Sequence, residues 1–253
     1  MEKVSSNLTR RQAIKAAASA TAFVAFAPML NFGRYRLFAS QAAEYSARAI
    51  RLVTESLVID MLSPLTLNWP LQGKWNADAE SFGDADFARY QESGINVFHT
   101  AVGVGGTDAY ANVLRFVSAQ NSFIAGQDER FMRIDSAADF ERARASGKIG
   151  ILIGVQNSAH FRRPDDVDEF HALGQRVSQL TYNSRNLIGN GSTERRDDGL
   201  SDFGVAIVER MNAVGMAVDT GHCGDRTTIN ACELSKKPVL ITHSNARVLV
   251  GGH

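Results

Sequence analysis

The run Ile149–Val155 constrains the fold more than any other part of the sequence, because every residue in it is apolar or glycine. A strand without polar alternation is buried on both faces, which is typical of a parallel sheet covered by helices. Further short apolar runs share this character, and helical patterns separate them. The predicted strands are 57–59, 95–98, 149–155, 177–181, 216–219 and 239–242. The predicted helices are 85–93, 108–119, 136–147, 165–173, 202–214 and 225–235. This alternation predicts parallel βαβ units with right-handed crossovers.

The length of the chain fits a single α/β barrel. It has 253 residues, and a TIM-like (β/α)8 barrel takes about 250. The pattern contains about six strand–helix units where a closed barrel has about eight, and the chain stops at His253 soon after the sixth strand. We therefore predict an incomplete TIM-like (β/α)8 barrel over residues 43–253, truncated at its C-terminus.

The first part of the chain is predicted to be a targeting signal. Arg10 and Arg11 precede the uncharged run Ala16–Leu30, a pattern that resembles the twin-arginine export signal. We assign residues 1–42 to this leader and expect export by the twin-arginine machinery to the periplasm. Two alternatives stay open, an uncleaved leader that anchors the protein to the membrane and an amphipathic helix of a cytosolic protein.

The charge balance indicates the kind of partner. Lys plus Arg and Asp plus Glu both number 27, so the formal net charge is zero. Without a basic excess, the sequence gives no reason to expect nucleic acid or an anionic membrane surface as a partner. A short peptide or another small molecule is the expected substrate, and a homodimer is an open alternative to a monomer.

Two histidines follow neighbouring predicted strands at the point where each strand ends. His222 follows the strand at 216–219, and His243 follows the strand at 239–242. Catalytic groups of α/β barrels lie at the carboxyl ends of the strands, and imidazole is the commonest metal ligand. We therefore predict that the two side chains converge on one metal ion. The alternative is that each histidine only bonds to the backbone of its loop.

The segments around these histidines resemble those of a known family. Gly215–His222 and Ser235–Ser244 look like the two histidine motifs of the membrane (renal) dipeptidases, and Leu200–Gly204 is similar as well. The resemblance runs from about residue 50 to the end of the chain and is strongest after Gly147. It implies a binuclear zinc peptidase fold, with His222 and His243 as ligands of one zinc ion.

The other motifs of that family are altered here. The segment Asp60–Pro64 stands where the family has Asp-Gly-His-x-Asp, so the His and Asp ligands of the other zinc are lacking. Gln156 stands at the metal-bridging Glu, and Tyr182 at the His that assists the tetrahedral intermediate. By this correspondence Gln156 is a weak metal ligand or a catalytic residue that positions water, and Tyr182 is a catalytic hydrogen-bond donor. Asn183 and His160 are predicted substrate contacts. The resemblance places a substrate-binding Arg and a last catalytic Asp beyond the end of this sequence.

Two further groups of residues are candidates for the same site. The carboxylates of Glu194, Asp197 and Asp198 could replace the lost ligands, although a solvated charged loop is the simpler interpretation. His99 ends the second predicted strand and could line the pocket. The resemblance thus predicts an exported metallo-dipeptidase-like hydrolase that holds one zinc ion and cleaves a short peptide with metal-activated water. The alternative is a catalytically degenerate barrel that binds a ligand or partner in the periplasm.

Overall fold

The computed structural model describes residues 45–246, 248 and 249. Within this part of the chain, parallel strands form one curled sheet. The strands are β1 (Ile59–Asp60), β2 (Val97–Val102), β3 (Phe131–Arg133), β4 (Ile149–Val155), β5 (Gln175–Gln179), β6 (Ala217–Asp219) and β7 (Val239–Leu240). The predicted leader, residues 1–42, lies outside the described residues.

The strands follow one another in the order β1-β2-β4-β5-β6-β7, and β3 lies off this path. One edge of β4 pairs with β2 along most of its length. The other edge pairs first with β3, through Ile149–Ile151, and then with β5 from Ile153 onward. All of these pairs are parallel, so the carboxyl ends of the strands meet on one side of the sheet. The prediction of an incomplete TIM-like α/β barrel is confirmed.

Eight α-helices and two short 3-10 turns are described around this sheet. They are α1 (Ala47–Glu55), α2 (Trp69–Ala77), α3 (Asp84–Ser93), α4 (Ala109–Gly126), α5 (Ala137–Ser146), α6 (Asp166–Ala172), α7 (Asp202–Val214) and α8 (Asp225–Leu234). The predicted helices correspond to α3 through α8. No described helix is both long enough and apolar enough to cross a bilayer.

Three elements were not predicted, each for a physical reason. β3 has only three residues, one of which is Arg133, so no apolar run marks it. Helix α1 has only nine residues and buries none of them, so little tertiary packing supports it. Helix α2 contains Pro70 and Gly73, which are poor helix formers in general. Pro70 is tolerated because it lies in the first turn, where its missing N–H has no helical partner.

Alternate residues of the central strands enter two apolar clusters. Ile151 and Ile153 belong to the larger cluster, which lies between the sheet and the helices. Leu152, between them in sequence, belongs to a smaller cluster with Val97 and Val177 on the opposite face. This division explains why β4 is buried at every position. The two clusters hold the sheet that carries the loops at its carboxyl ends.

Candidate metal centre

The structure brings the two predicted histidines together at the carboxyl ends of β6 and β7. His222 follows β6 through a short turn, and His243 follows β7. Their ring centroids are 4.8 Å apart, with the ring planes inclined at 60°. Both side chains are half-buried. Two imidazoles at this separation can bind one cation between them.

The side chain of Asn183 sets the orientation of His222. The Oδ1 atom of Asn183 lies 2.6 Å from Nδ1 of His222. Because an amide oxygen can only accept a hydrogen bond, Nδ1 carries the proton in this arrangement. The lone pair is then on Nε2, which is the ring nitrogen available to a ligand.

A chain of hydrogen bonds sets the orientation of His243. Oγ1 of Thr242 donates to Oδ2 of Asp219 over 2.8 Å and therefore accepts from Nδ1–H of His243, also over 2.8 Å. Oδ1 of Asp219 accepts from the backbone N–H groups of Gly221 and Thr242 at 3.1 Å each. Nε2 of His243 is left buried and without a hydrogen-bond partner among the described residues.

These tautomers fit a divalent metal ion such as zinc. Metal-bound histidines usually donate their other ring N–H to an oxygen, which is what both histidines do here. Burial lowers the pKa of both imidazoles, and His243 lowers that of His222 further. Neutral imidazoles are the form that binds metal. No three His, Cys, Asp or Glu side chains of the described residues are grouped closely enough to hold an ion, so His222 and His243 are a pair of candidate ligands without a third in this part of the chain.

A cavity of about 1350 Å³ opens in front of the histidine pair. Gln156 and Tyr182 line it together with His222 and His243. The ring of Tyr182 stacks on that of His222, with centroids 4.2 Å apart and an interplanar angle of 22°. Gln156 is half-buried just after β4, and its backbone carbonyl accepts from Nε2 of Gln179 at 3.1 Å. The four residues predicted from the resemblance to be metal-binding or catalytic thus share one cavity wall.

The segment at the end of β1 lacks the histidine and the aspartate of the family motif, and Asp60 is the carboxylate that it brings to the cavity wall. Leu62 lines the cavity at the position of the missing His, and Pro64 stands at the position of the missing Asp. Oδ1 of Asp60 accepts from the backbone N–H of Leu62 at 3.1 Å, which stabilises the turn after β1. The side of the cavity near β1 is therefore unlike the side near β6 and β7.

The acidic loop does not supply replacement ligands in this arrangement. Oδ2 of Asp197 accepts from the backbone N–H of Arg226, and its Oδ1 accepts from Oγ1 of Thr227, so Asp197 caps helix α8. Glu194 accepts from the backbone N–H of Arg185, and Asp198 pairs with Arg196 over 2.7 Å. Local hydrogen bonds account for all three carboxylates.

The predicted substrate contacts have other partners. His160 is fully buried, and its ring packs against Phe161 and Phe170 at centroid distances of 4.0 and 4.7 Å. Its ring nitrogens face the Asn157 carbonyl and Oε1 of Gln175. His160 does not line the cavity, so we correct its predicted role to a structural one. Asn183 is engaged by His222, as described above.

Two buried polar residues next to the histidine pair, Gln179 and Asp219, were not singled out from the sequence as parts of the site. Oε1 of Gln179 is buried without a partner among the described residues, and a Cβ on Gly221 would lie 3.0 Å from it and 2.9 Å from Cε1 of His243. Asp219 holds the Thr242 hydroxyl that contacts Nδ1 of His243. His99 is almost fully buried, and its Nδ1 faces the Met61 carbonyl at 2.5 Å, so it lies beneath the cavity rather than on its wall. A polar side chain at an inward position of a barrel strand is the signal that could have identified Gln179.

Comparisons with known proteins agree with this site. The model of the membrane dipeptidase family, peptidase family M19, matches residues 46–252. The chain belongs to the membrane dipeptidase family. This family consists of metallopeptidases, and the two histidine motifs from which the resemblance was drawn lie within the matched region.

Relatives in the membrane dipeptidase family cover parts of the chain. An uncharacterized dipeptidase of Schizosaccharomyces pombe is 34% identical over 122 residues, which is 46% of this chain and 29% of that protein. The dipeptidase tcpJ of Claviceps purpurea is 32% identical over 125 residues, or 48% of this chain and 29% of that protein. The structure of an amidohydrolase from Pseudomonas aeruginosa is similar with a TM-score of 0.64 and 32% identity, covering 79% of this chain and 57% of that one. The chain thus spans little more than half the length of this structural relative.

Proposed function

We propose that this protein is a metal-dependent hydrolase of short peptides that holds one zinc ion through His222 and His243. The observation that carries the proposal is that each of the two imidazoles has a hydrogen-bond acceptor at its Nδ1 atom. Asn183 accepts from Nδ1 of one, and Thr242 accepts from Nδ1 of the other, so both Nε2 atoms are free to bind metal. A zinc ion at this position supplies Lewis-acid polarisation and activation of water.

The side chains of the cavity wall have separate roles in this proposal. The ring of Tyr182 stacks on His222, and its hydroxyl donates a hydrogen bond to the oxygen of the peptide carbonyl as negative charge develops on it. The amide of Gln156, which makes no hydrogen bond to the described residues, orients the peptide or the attacking water. Asn157 lines the same wall.

Hydrolysis of a panel of dipeptides by the 253-residue chain tests this function. We expect hydrolysis that a chelator abolishes and added zinc restores, and we expect His243→Ala to lack it. Tyr182→Phe should bind zinc normally but lower kcat by about a hundredfold, the order of loss when one oxyanion donor is removed. Absence of chelator-sensitive hydrolysis across the panel would refute the enzymatic proposal.

A second candidate function is a barrel that binds a ligand without catalysis. Leu62 and Pro64 replace the ligands of the other zinc ion, and the described residues contain no group of three metal-binding side chains. On this proposal the cavity binds a small molecule, and zinc occupies the histidine pair without turnover. Zinc binding combined with no hydrolysis of any dipeptide favours this candidate.

We further propose export by the twin-arginine route to the periplasm. The support is the sequence alone, with Arg10 and Arg11 ahead of the apolar run Ala16–Leu30. A reporter fused to residues 1–42 should be exported by a strain with the twin-arginine translocase. Replacement of both arginines by lysine should stop export, and export that continues would contradict the proposal.

A further inference from the structure

The residues Asn183 and His222 share a rare backbone conformation. Outside glycine, they alone among the described residues have positive φ, and both have φ of 58°. The left-handed region is unfavourable for an ordinary L-residue, and asparagine tolerates it better than most. Strain of this kind persists where the surrounding structure imposes it, often at functional sites. Here the two unusual residues are in direct contact through Oδ1 and Nδ1.

Hydrogen bonds within the loop after β5, and one between this loop and the loop after β6, hold the two residues in this conformation. The carbonyl of Asn183 accepts from the backbone N–H of Thr193 at 3.0 Å and from its Oγ1 at 2.8 Å. The carbonyl of His222 accepts from the backbone N–H of Ser192 at 2.8 Å. A Cβ on Gly191 would lie only 2.0 Å from the Asn183 carbonyl oxygen, so the chain can pass this closely only with glycine there. The loop after β5 and the loop after β6 are therefore joined where Asn183 contacts His222.

The direction of the hydrogen bond decides whether His222 can bind a metal. With Oδ1 of Asn183 facing Nδ1, the ring proton is on Nδ1 and Nε2 is free. With the amide reversed, its NH₂ group would donate to Nδ1, and the neutral ring would carry its proton on Nε2, where it prevents coordination. A hydrogen-bonded carboxamide can therefore select the tautomer of its imidazole partner.

We propose that Asn183 is the positioning residue of His222, which fixes the ring and its tautomer so that Nε2 faces the metal. This assignment replaces the substrate contact predicted from the sequence, and it rests on the proposed role of His222 in holding zinc. His243 obtains the same support from Thr242 and a carboxylate, Asp219. Through Asn183 the loop after β5 becomes part of the metal site without coordinating the ion.

Zinc affinity of the full chain tests the proposal, measured by competition with a chromophoric chelator at neutral pH. Asn183→Gly removes the amide but keeps the left-handed backbone accessible. We expect it to weaken zinc binding by about 10- to 100-fold, the usual cost of losing such a partner. Asn183→Asp retains an oxygen acceptor and adds charge, so it should bind zinc at least as tightly as the wild type.

A variant of the same loop separates positioning from loss of loop structure. Asn186 bonds the Leu180 carbonyl, Asn157 and two backbone N–H groups, and it does not touch His222. Asn186→Ala should lower thermal stability while changing zinc affinity less than about threefold, under about 0.7 kcal/mol. Equal losses of affinity in Asn183→Gly and Asn186→Ala would overturn the positioning role.

NMR of the histidine ring nitrogens in the metal-free chain gives a readout that does not depend on zinc. The wild type should show His222 as the Nδ1–H tautomer, and Asn183→Gly should lose this preference while Asn183→Asp keeps it. An Nε2–H tautomer in the wild type would contradict the proposal. If the wild type binds no zinc, the proposed function fails, and the ring tautomer still decides whether Asn183 positions His222.

Discussion

The two sides of the cavity differ in what they offer a cation. On the side of β6 and β7, two neutral imidazoles lie 4.8 Å apart, and each donates its Nδ1 proton to a fixed oxygen. On the side of β1 and β4, Leu62, Pro64 and Gln156 stand where the membrane dipeptidase motifs have His, Asp and Glu. The first side offers two candidate metal ligands, whereas Asp60 is the carboxylate that the segment at the end of β1 brings to the second.

The difference shows that the hydrogen-bond partners of candidate ligands have to be considered together with the ligands. Asp219 is almost fully buried, and three hydrogen-bond donors contact its carboxylate. Such an arrangement leaves no oxygen of Asp219 obviously free for a metal, but it fixes Thr242 and through it His243. The histidine that follows β4, His160, has no comparable role because Phe161 and Phe170 enclose it.

The largest expected effect on zinc affinity comes from reversing the direction of the hydrogen bond between Thr242 and His243. In Asp219→Asn, the new amide N–H faces Oγ1 of Thr242, so the threonine hydroxyl donates to Nδ1 of His243 and the ring proton moves to Nε2. We expect zinc affinity to fall by about 10- to 100-fold. Chelator competition measures this loss, and Asp202→Asn at the start of helix α7 is the matched control that should leave affinity unchanged.

The buried histidine near β4, His160, should make the free energy of unfolding depend on pH. Burial lowers the pKa of His160 to about 4, although its two hydrogen-bond contacts act in the opposite direction. The unfolded chain, with a pKa of about 6.5, binds more protons between these values, so the folded state loses stability as pH falls from about 6.5 to 4. The loss from this group between pH 7 and 5 is about 2 kcal/mol.

Urea denaturation across this pH range checks the role of His160. His160→Gln removes the titrating group and should flatten the dependence by about that amount, even if the variant is less stable throughout. An unchanged slope in the variant would show that His160 titrates as an exposed histidine, and the contrast between the two sides of the cavity would be weaker.

Adding charge to the side near β4 should make the two sides more alike. Gln156→Glu supplies a carboxylate on the cavity wall, and we expect zinc to bind about tenfold more tightly, a gain of about 1.4 kcal/mol. Asn157→Asp adds the same charge at the next residue, whose Oδ1 already accepts from Ala159 and Asn186. If both substitutions raise affinity equally, the gain is a general charge effect rather than coordination by residue 156.

The smallest effect on zinc affinity is expected from substitution of Tyr182. Tyr182→Phe keeps the ring that stacks on His222, so zinc affinity should change less than about twofold. Tyr182→Ala removes the stack, and an aromatic pair of this kind is worth about 0.5–1.5 kcal/mol. The expected weakening is therefore about 2- to 10-fold, and isothermal titration of both variants with zinc should resolve the difference.

The sequence predicted those features that local patterns specify. The apolar run Ile149–Val155 indicated a strand buried on both faces, and the positions of His222 and His243 after strands indicated that they would meet. The contacts of Asn183 and Asp197 could not be predicted, because each joins loops that are distant in sequence and depends on a specific backbone path. Likewise, nothing local to His160 shows that Phe170, on the following helix, covers its ring.

Zinc stoichiometry tests the central claim most directly. The 253-residue chain is equilibrated with zinc, dialysed and analysed by mass spectrometry for metal, beside the His222→Ala/His243→Ala double variant with its folding checked by circular dichroism. We expect about one zinc ion per wild-type chain and less than about a tenth in the folded double variant, because the two imidazoles are the protein ligands. A wild type without zinc, or a folded double variant that retains it, would contradict a metal held by His222 and His243.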